Sequence, residues 1–152
     1  MHCEEDPSKP YDLVLPIEIE NGSIAQAYIT IRPYAISFLK RMAKHYEIIA
    51  FTASHESYAD VVLDEIDPEH EFIKHRLYRR NCIEIHENIY AKDLRIVNRD
   101  LSSMVLIDNA PYSYIFQLEN GIPILPFYHG EDNELVQLEK CLEEMVKWED
   151  VR

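Results

Sequence analysis

Glycine is scarce in this chain, at 3 of 152 residues, and no low-complexity tract, internal repeat or linker-like stretch interrupts it. That excludes an array of repeats and a flexible multidomain string. No apolar run approaches the roughly 20 residues that a membrane span needs. The opening Met1-His2-Cys3-Glu4-Glu5-Asp6 has neither a basic n-region nor an apolar h-region, so it does not read as a secretory signal. Positive charge is also short: 15 Lys and Arg stand against 28 Asp and Glu, for a net charge of -13. Such a balance excludes a surface built to neutralise a nucleic-acid backbone, though not a small local basic pocket. The three cysteines, Cys3, Cys82 and Cys141, are odd in number and match no zinc or redox spacing. They read as free thiols in a reducing, intracellular compartment. The seven histidines are scattered without a ligand pattern, which argues against a structural metal centre.

What is present is an ordinary globular composition, 47% hydrophobic and 28% charged, long enough for one domain with its own core. Residues 4 to 12 are polar and hold Pro7 and Pro10, so they read as loop. Leu13 to Ile19 alternates around Pro16, which suits an edge strand. Asn21-Gly22 marks a tight turn, and Ile24 to Ile31 completes a hairpin. Pro33 is placed to open a helix running to about His45, with Ile36, Leu39, Ala43 and Tyr46 as its apolar stripe. Ile48-Ile49-Ala50-Phe51 is continuously apolar, as in a central parallel strand covered on both faces. A helix carrying Tyr58, Val61, Val62, Glu65 and Ile66 follows. His75 to Arg80 and Cys82 to Tyr90 are strand-like. Met104 to Ile107 is a second buried strand, Ser113 to Leu118 a short helix, and Gly121 to Phe127 a third strand. Asp132 or Asn133 can cap a last helix that turns Leu135, Leu138, Leu142 and Met145 inward, with Glu139, Glu143, Glu144 and Lys147 on its other faces. Strands alternating with helices predict an α/β fold with a mainly parallel sheet.

Ligands of open parallel sheets bind beyond the carboxyl ends of the strands. Two strands end there in polar residues: Phe51 leads into Thr52, and Ile107 into Asp108-Asn109. Thr52 and the free N–H groups of the following helix can hold an anion. Asp108 and Asn109 are oxygen donors suited to a hard cation such as Mg2+. Lys92, in Tyr90-Ala91-Lys92-Asp93-Leu94, can neutralise charge that develops during phosphoryl transfer. Each residue also has a plain reading. Thr52 alone is more often an N-cap, Asp108-Asn109 a turn, Lys92 a solvated charge, and Arg79-Arg80 the polar side of a strand.

Order and spacing decide between these readings. Phe51-Thr52-Ala53-Ser54, Arg76-Leu77-Tyr78-Arg79-Arg80-Asn81-Cys82, Tyr90-Ala91-Lys92-Asp93-Leu94 and Val105-Leu106-Ile107-Asp108-Asn109-Ala110-Pro111 together resemble the Fcp/Scp-type phosphatases. These are also called NLI-interacting-factor-like phosphatases and belong to the haloacid dehalogenase-like superfamily. Arg32-Pro33 and Asn120-Gly121-Ile122-Pro123-Ile124 extend the resemblance, which runs from about Ile29 to Met145. It implies a parallel sheet flanked by helices with a β-hairpin insertion. It implies a Mg2+-dependent phosphoserine/phosphothreonine protein phosphatase working through an aspartyl-phosphate. It also implies roles: Thr52 binds the phosphoryl group, Lys92 balances its charge, Asn109 ligates the metal with Asp108 in the same motif, and Arg79 holds the phosphorylated peptide. His55 stands where some relatives that read proline-rich peptides carry an apolar residue, so the identity of the peptide stays open.

One part of that pattern is missing. The family's nucleophile lies in Asp-x-Asp-x-Thr at the end of the first, central strand, and no such motif occurs in these 152 residues. The expectation is a single domain over 1–152, truncated at its amino terminus, that lacks the first central strand and is inactive in aspartyl-phosphate turnover. Two inner strand edges are then left unpaired, which makes self-association possible to test. The alternative reading is a non-catalytic adaptor on the same fold, such as a mitochondrial import translocase subunit. A phosphate-accepting receiver-like domain ranks below both, because Phe51 is followed by Thr52 where an Asp is needed. The expected partner is a phosphorylated protein or peptide, with no nucleic acid and no membrane segment, and the expected compartment is nucleus or cytoplasm.

Overall fold

The architecture follows from a computed structural model that describes residues 2–4, 8, 10–18 and 22–152. The alternating residues around Pro16 form β2 (Leu13–Glu18), which pairs antiparallel with β3 (Ile24–Thr30). Pro16 is tolerated because β2 lies at the sheet edge, in the order β1-β3-β2. The third member, β1 (His2–Glu4), pairs antiparallel with β3. It is a short strand that the sequence pattern did not announce. Asn21 and Ile19 of the expected hairpin lie outside the described residues. Gly22 takes φ +78°, as a tight turn asks.

Helix α1 spans Ala35–Met42, two residues later than Pro33 suggests, because Tyr34 at its N-cap sits in the left-handed region at φ +67°. Of the expected apolar stripe, Leu39 and Tyr46 pack against the core. Phe38 and Met42, four residues apart, carry the core, while Ile36 is exposed. They pack against Leu135, Leu138, Leu142 and Met145 of the last helix, α3 (Glu134–Met145), as its 3.6-residue pattern predicts. Glu139 departs from that pattern: it is buried and forms a two-pronged pair with Arg41 of α1, so a carboxylate read as solvated cross-links the two helices.

Strand β4 (Ile48–Phe51) runs parallel to β5 (Ile73–Leu77), with helix α2 (Glu56–Ile66) between them. Asp67, only 1% exposed, accepts backbone N–H bonds from Glu71, Phe72 and Ile73 at 2.8–2.9 Å and fastens the end of α2 to the start of β5. Strand β5 stops at Leu77, and Arg79–Asn81 form a 3-10 turn, so Arg79 and Arg80 do not continue a strand. A second hairpin joins β6 (Ile83–His86) to β7 (Ile89–Ala91). Strand β8 (Leu106–Asp108) runs parallel to β9 (Gly121–Pro123). The expected longer third strand is cut short where Pro123 and Pro126 withhold N–H donors. The expected helix near 113–118 is instead two 3-10 turns, Pro111–Tyr114 and Leu118–Asn120.

The parallel strands therefore form two separate pairs, β4 with β5 and β8 with β9. Between β4 and β8 lies a slot of about 310 Å³, lined by Ile48, Ile49, Phe51, Val105, Leu106 and Ile107. All four residues of β4 are half-buried. An apolar run that reads as covered on both faces borders this slot and keeps part of its surface open.

Candidate active site

Lys92 follows directly on β7, and its backbone N–H donates to the Ser113 carbonyl at 2.7 Å. Only 8% of the residue is exposed, so it is not the solvated charge that a lone lysine suggests. Its Nζ donates to Oδ2 of Asp108 at 2.5 Å and lies 5.7 Å from the centre of the Phe51 ring. Phe51 ends β4 and Asp108 ends β8. One ammonium thus touches the carboxyl ends of both strands and places those ends on a common rim.

Asp108 is held from two sides. Its Oδ1 accepts the Ala110 N–H at 2.8 Å while Oδ2 takes the lysine. Asn109, next in the chain, is exposed.

Thr52 continues from β4, its N–H donating to the Leu77 carbonyl at 2.9 Å. It does not cap α2. His55 occupies that position and accepts from the Ser57 N–H, whereas Thr52 Oγ1 accepts the Ser54 N–H at 3.0 Å. That bond uses a lone pair and leaves the hydroxyl proton for another acceptor. Arg79 is anchored beside Thr52 by two bonds: its Nε donates to the Ala53 carbonyl at 2.7 Å and its N–H to the Ser54 carbonyl at 3.0 Å. Its guanidinium stacks 5.3 Å from the Tyr90 ring.

Cys82 ties these groups together. Its thiol lies 3.6 Å from the Thr52 carbonyl. Burial pushes its pKa up, and the charges of Lys92, Asp108 and Arg79 all act on it. The half-buried sulfur therefore touches the Thr52 carbonyl and feels the charges of Lys92, Asp108 and Arg79, although these residues span 52 to 108.

Arg32 and Asp132 take a part at this rim that the sequence reading did not assign them. Arg32 is 7% exposed and donates to Asp132 through Nε and Nη2 at 3.1 and 2.8 Å, and to the Leu125 carbonyl at 2.7 Å. Its guanidinium also lies 5.5 Å from the Phe127 ring. The bidentate arginine holds the Asp132 carboxyl below its ordinary value. Arg32 lines a cavity of about 360 Å³ together with Lys92, Asp108 and Asn109. Arg32 and Asp132 are 100 residues apart, and no local pattern pairs them. Asp132 also accepts the Glu134 N–H at 2.9 Å, so it meets the first turn of α3 while it grips Arg32.

The oxygen donors at the rim reduce to Asn109 and an Asp108 whose two oxygens already accept hydrogen bonds. Among the described residues no group of three His, Cys, Asp or Glu side chains could hold a metal ion. Mg2+ asks for six oxygen ligands, commonly one or two carboxylates with waters and phosphate oxygens. On their own these side chains do not make a Mg2+ site.

The family profile of the NLI interacting factor-like phosphatases matches residues 1–152. The chain belongs to that family. CTD small phosphatase-like protein 3 of Caenorhabditis elegans is 42% identical over 144 residues, covering 94% of this chain and 50% of that protein. The human carboxy-terminal domain RNA polymerase II polypeptide A small phosphatase 2 is 40% identical over 152 residues, covering 99% of this chain and 55% of that protein. The chain spans about half the length of these curated relatives. The fold resembles fission yeast RNA polymerase II CTD phosphatase Fcp1 bound to beryllium fluoride, with TM-score 0.69 and 21% identity, over 95% of this chain and 46% of that one. This is the α/β fold of the haloacid dehalogenase-like phosphatases, as expected. Among the described residues no helix is long and apolar enough to cross a membrane.

Proposed function

We propose that these residues form the phosphoryl-binding side of a phosphoserine/phosphothreonine protein phosphatase. The observation that carries the reading is the single rim shared by Thr52, Lys92 and Asp108-Asn109, fixed by the Lys92 contacts to both strand ends. In this reading the Thr52 hydroxyl donates its free proton to a phosphoryl oxygen. The Lys92 ammonium, oriented by Asp108, balances charge as the phosphoryl group transfers. Asn109, with Asp108 in the same motif, would offer a side-chain oxygen to a Mg2+ ion, and such an ion would supply charge neutralisation there. Arg79, exposed yet anchored at the rim, receives the phosphorylated peptide. The proposed partner is a phosphoprotein, and the proposed compartment is the nucleus or cytoplasm.

The 152 residues contain no Asp-x-Asp-x-Thr nucleophile. That observation favours a second reading, a non-catalytic adaptor that keeps phosphopeptide affinity. One comparison separates the two. Phosphate release from a phosphoserine peptide is measured with Mg2+, for these residues alone and for a chain preceded by a strand ending in Asp-x-Asp-x-Thr. The first is expected to release none. The extended chain is expected to turn over, and Thr52→Val within it to lower kcat roughly 100-fold. Release by the 152 residues alone, or indifference to Thr52→Val, would overturn the proposal. A folded but inert extended chain favours the adaptor.

A further inference from the structure

Arg76, Tyr78 and Arg80 are spaced by two, and all three side chains meet helix α2. Asp64, Asp60 and Glu56, spaced by four along one face of that helix, receive them. Asp60 is the pivot: its Oδ1 accepts the Tyr78 hydroxyl at 2.7 Å and Arg76 Nη1 at 2.9 Å. Arg76 Nη2 donates to Asp64 at 2.7 Å. Arg80 pairs with Glu56, and its guanidinium lies 5.1 Å from the Tyr78 ring. Burial and then the bond to Asp60 push the Tyr78 pKa up, so the hydroxyl keeps the proton it donates.

Arg79 is the odd member of this run and goes the other way, to the Ala53 and Ser54 carbonyls and the Tyr90 ring. Every other arginine of the chain forms an ion pair with a carboxylate, whereas among the described residues Arg79 forms none. In a chain of net charge -13 carboxylates are not in short supply. The ones that α2 sends to this turn are taken by the neighbours of Arg79. The turn itself is closed by Tyr78, whose N–H donates to Asn81 Oδ1 at 2.9 Å and whose carbonyl accepts the Asn81 N–H at 2.8 Å. Whatever holds Tyr78 therefore holds the backbone from which Arg79 projects.

We propose that Asp60 is a positioning residue for Arg79. By fixing Tyr78 and Arg76 from the α2 side, it keeps the Arg79 guanidinium on Tyr90 and clear of any carboxylate, available to an anion. Exposed ion pairs contribute little to folding stability, and the Asp60 side chain is 42% exposed, so this network sets a position more than it stabilises the fold. That the anion is a phosphorylated peptide rests on the reading above; the placement of Arg79 by Asp60 does not.

The test uses the whole chain in nitrogen-labelled form. Asp60→Ala removes the pivot, and Tyr78→Phe removes only the hydroxyl. The Arg79 Nε–H, which donates to Ala53, reports the position directly in NMR spectra. In both variants its exchange with water is expected to speed up by at least about tenfold, while the Glu71, Phe72 and Ile73 amides bonded to Asp67 keep their wild-type rates. Asp60→Glu, which restores an acceptor, is expected to recover part of the protection. Affinity for a phosphoserine peptide, by calorimetry, is expected to fall roughly three- to tenfold in Asp60→Ala, and not to fall further when Arg79→Ala is already present. An Arg79 Nε–H unchanged in both variants overturns the inference. So does simultaneous loss of protection at the Asp67-bonded amides, since that is a general loosening of α2. A freed Arg79 Nε–H in a chain whose peptide affinity ignores Arg79→Ala supports the positioning role and overturns the phosphopeptide reading instead.

Discussion

Lys92 Nζ and Asp108 Oδ2 lie 2.5 Å apart, and both side chains are about nine-tenths buried. A pair in that setting behaves asymmetrically. Together the two charges offset each other's loss of water, but either one alone is left buried without a counter-charge.

Lys92→Met is therefore expected to lower folding stability by about 3–5 kcal/mol. The double variant Lys92→Met/Asp108→Asn is expected to recover a large part of that loss, because the stranded carboxylate is gone. Urea denaturation of the two variants and the wild type checks this. Equal loss in the single and double variants would mean that the pair contributes through packing instead.

Asp67 gives the clearest pH dependence. Burial by itself pushes its pKa up, but the N–H donors of Ile73, Phe72 and Glu71 outweigh burial and hold it below the ordinary 3.8. A depressed folded-state pKa stabilises above the unfolded value, and that contribution fades as pH falls through the folded one. Asp67→Asn is expected to cost about 2 kcal/mol at neutral pH. The gap from wild type is expected to close below pH 3.8. Thermal melting of both proteins across that range measures it, and a constant gap would contradict the charge-based account.

Gly121 opens β9 against an aromatic ring. A Cβ there would sit 2.5 Å from Tyr114, far inside van der Waals contact. Gly121→Ala is expected to destabilise by about 1–3 kcal/mol through forced displacement of the ring. In Gly121→Ala/Tyr114→Leu the two effects are expected not to add, since the smaller side chain removes the clash. A double-mutant cycle in chemical denaturation decides the matter, with strict additivity as the contrary result.

The sequence by itself settled what depends on short range. The 3.6-residue spacing of Leu135, Leu138, Leu142 and Met145 located α3, because a helix buries residues by local period. The apolar runs at Ile48 and Leu106 located the parallel strands. The order of the motifs around Thr52, Arg79, Lys92 and Asp108-Asn109 pointed to the family, since those residue types at strand ends suit phosphoryl chemistry. What only the tertiary structure decided is long-range pairing. Nothing in the neighbours of Glu139 announces Arg41, and nothing near Arg32 announces Asp132, because an ion pair records proximity in space and leaves no period in the chain. For the same reason, one lysine bridging two strand ends became visible only once the backbone had fixed their separation.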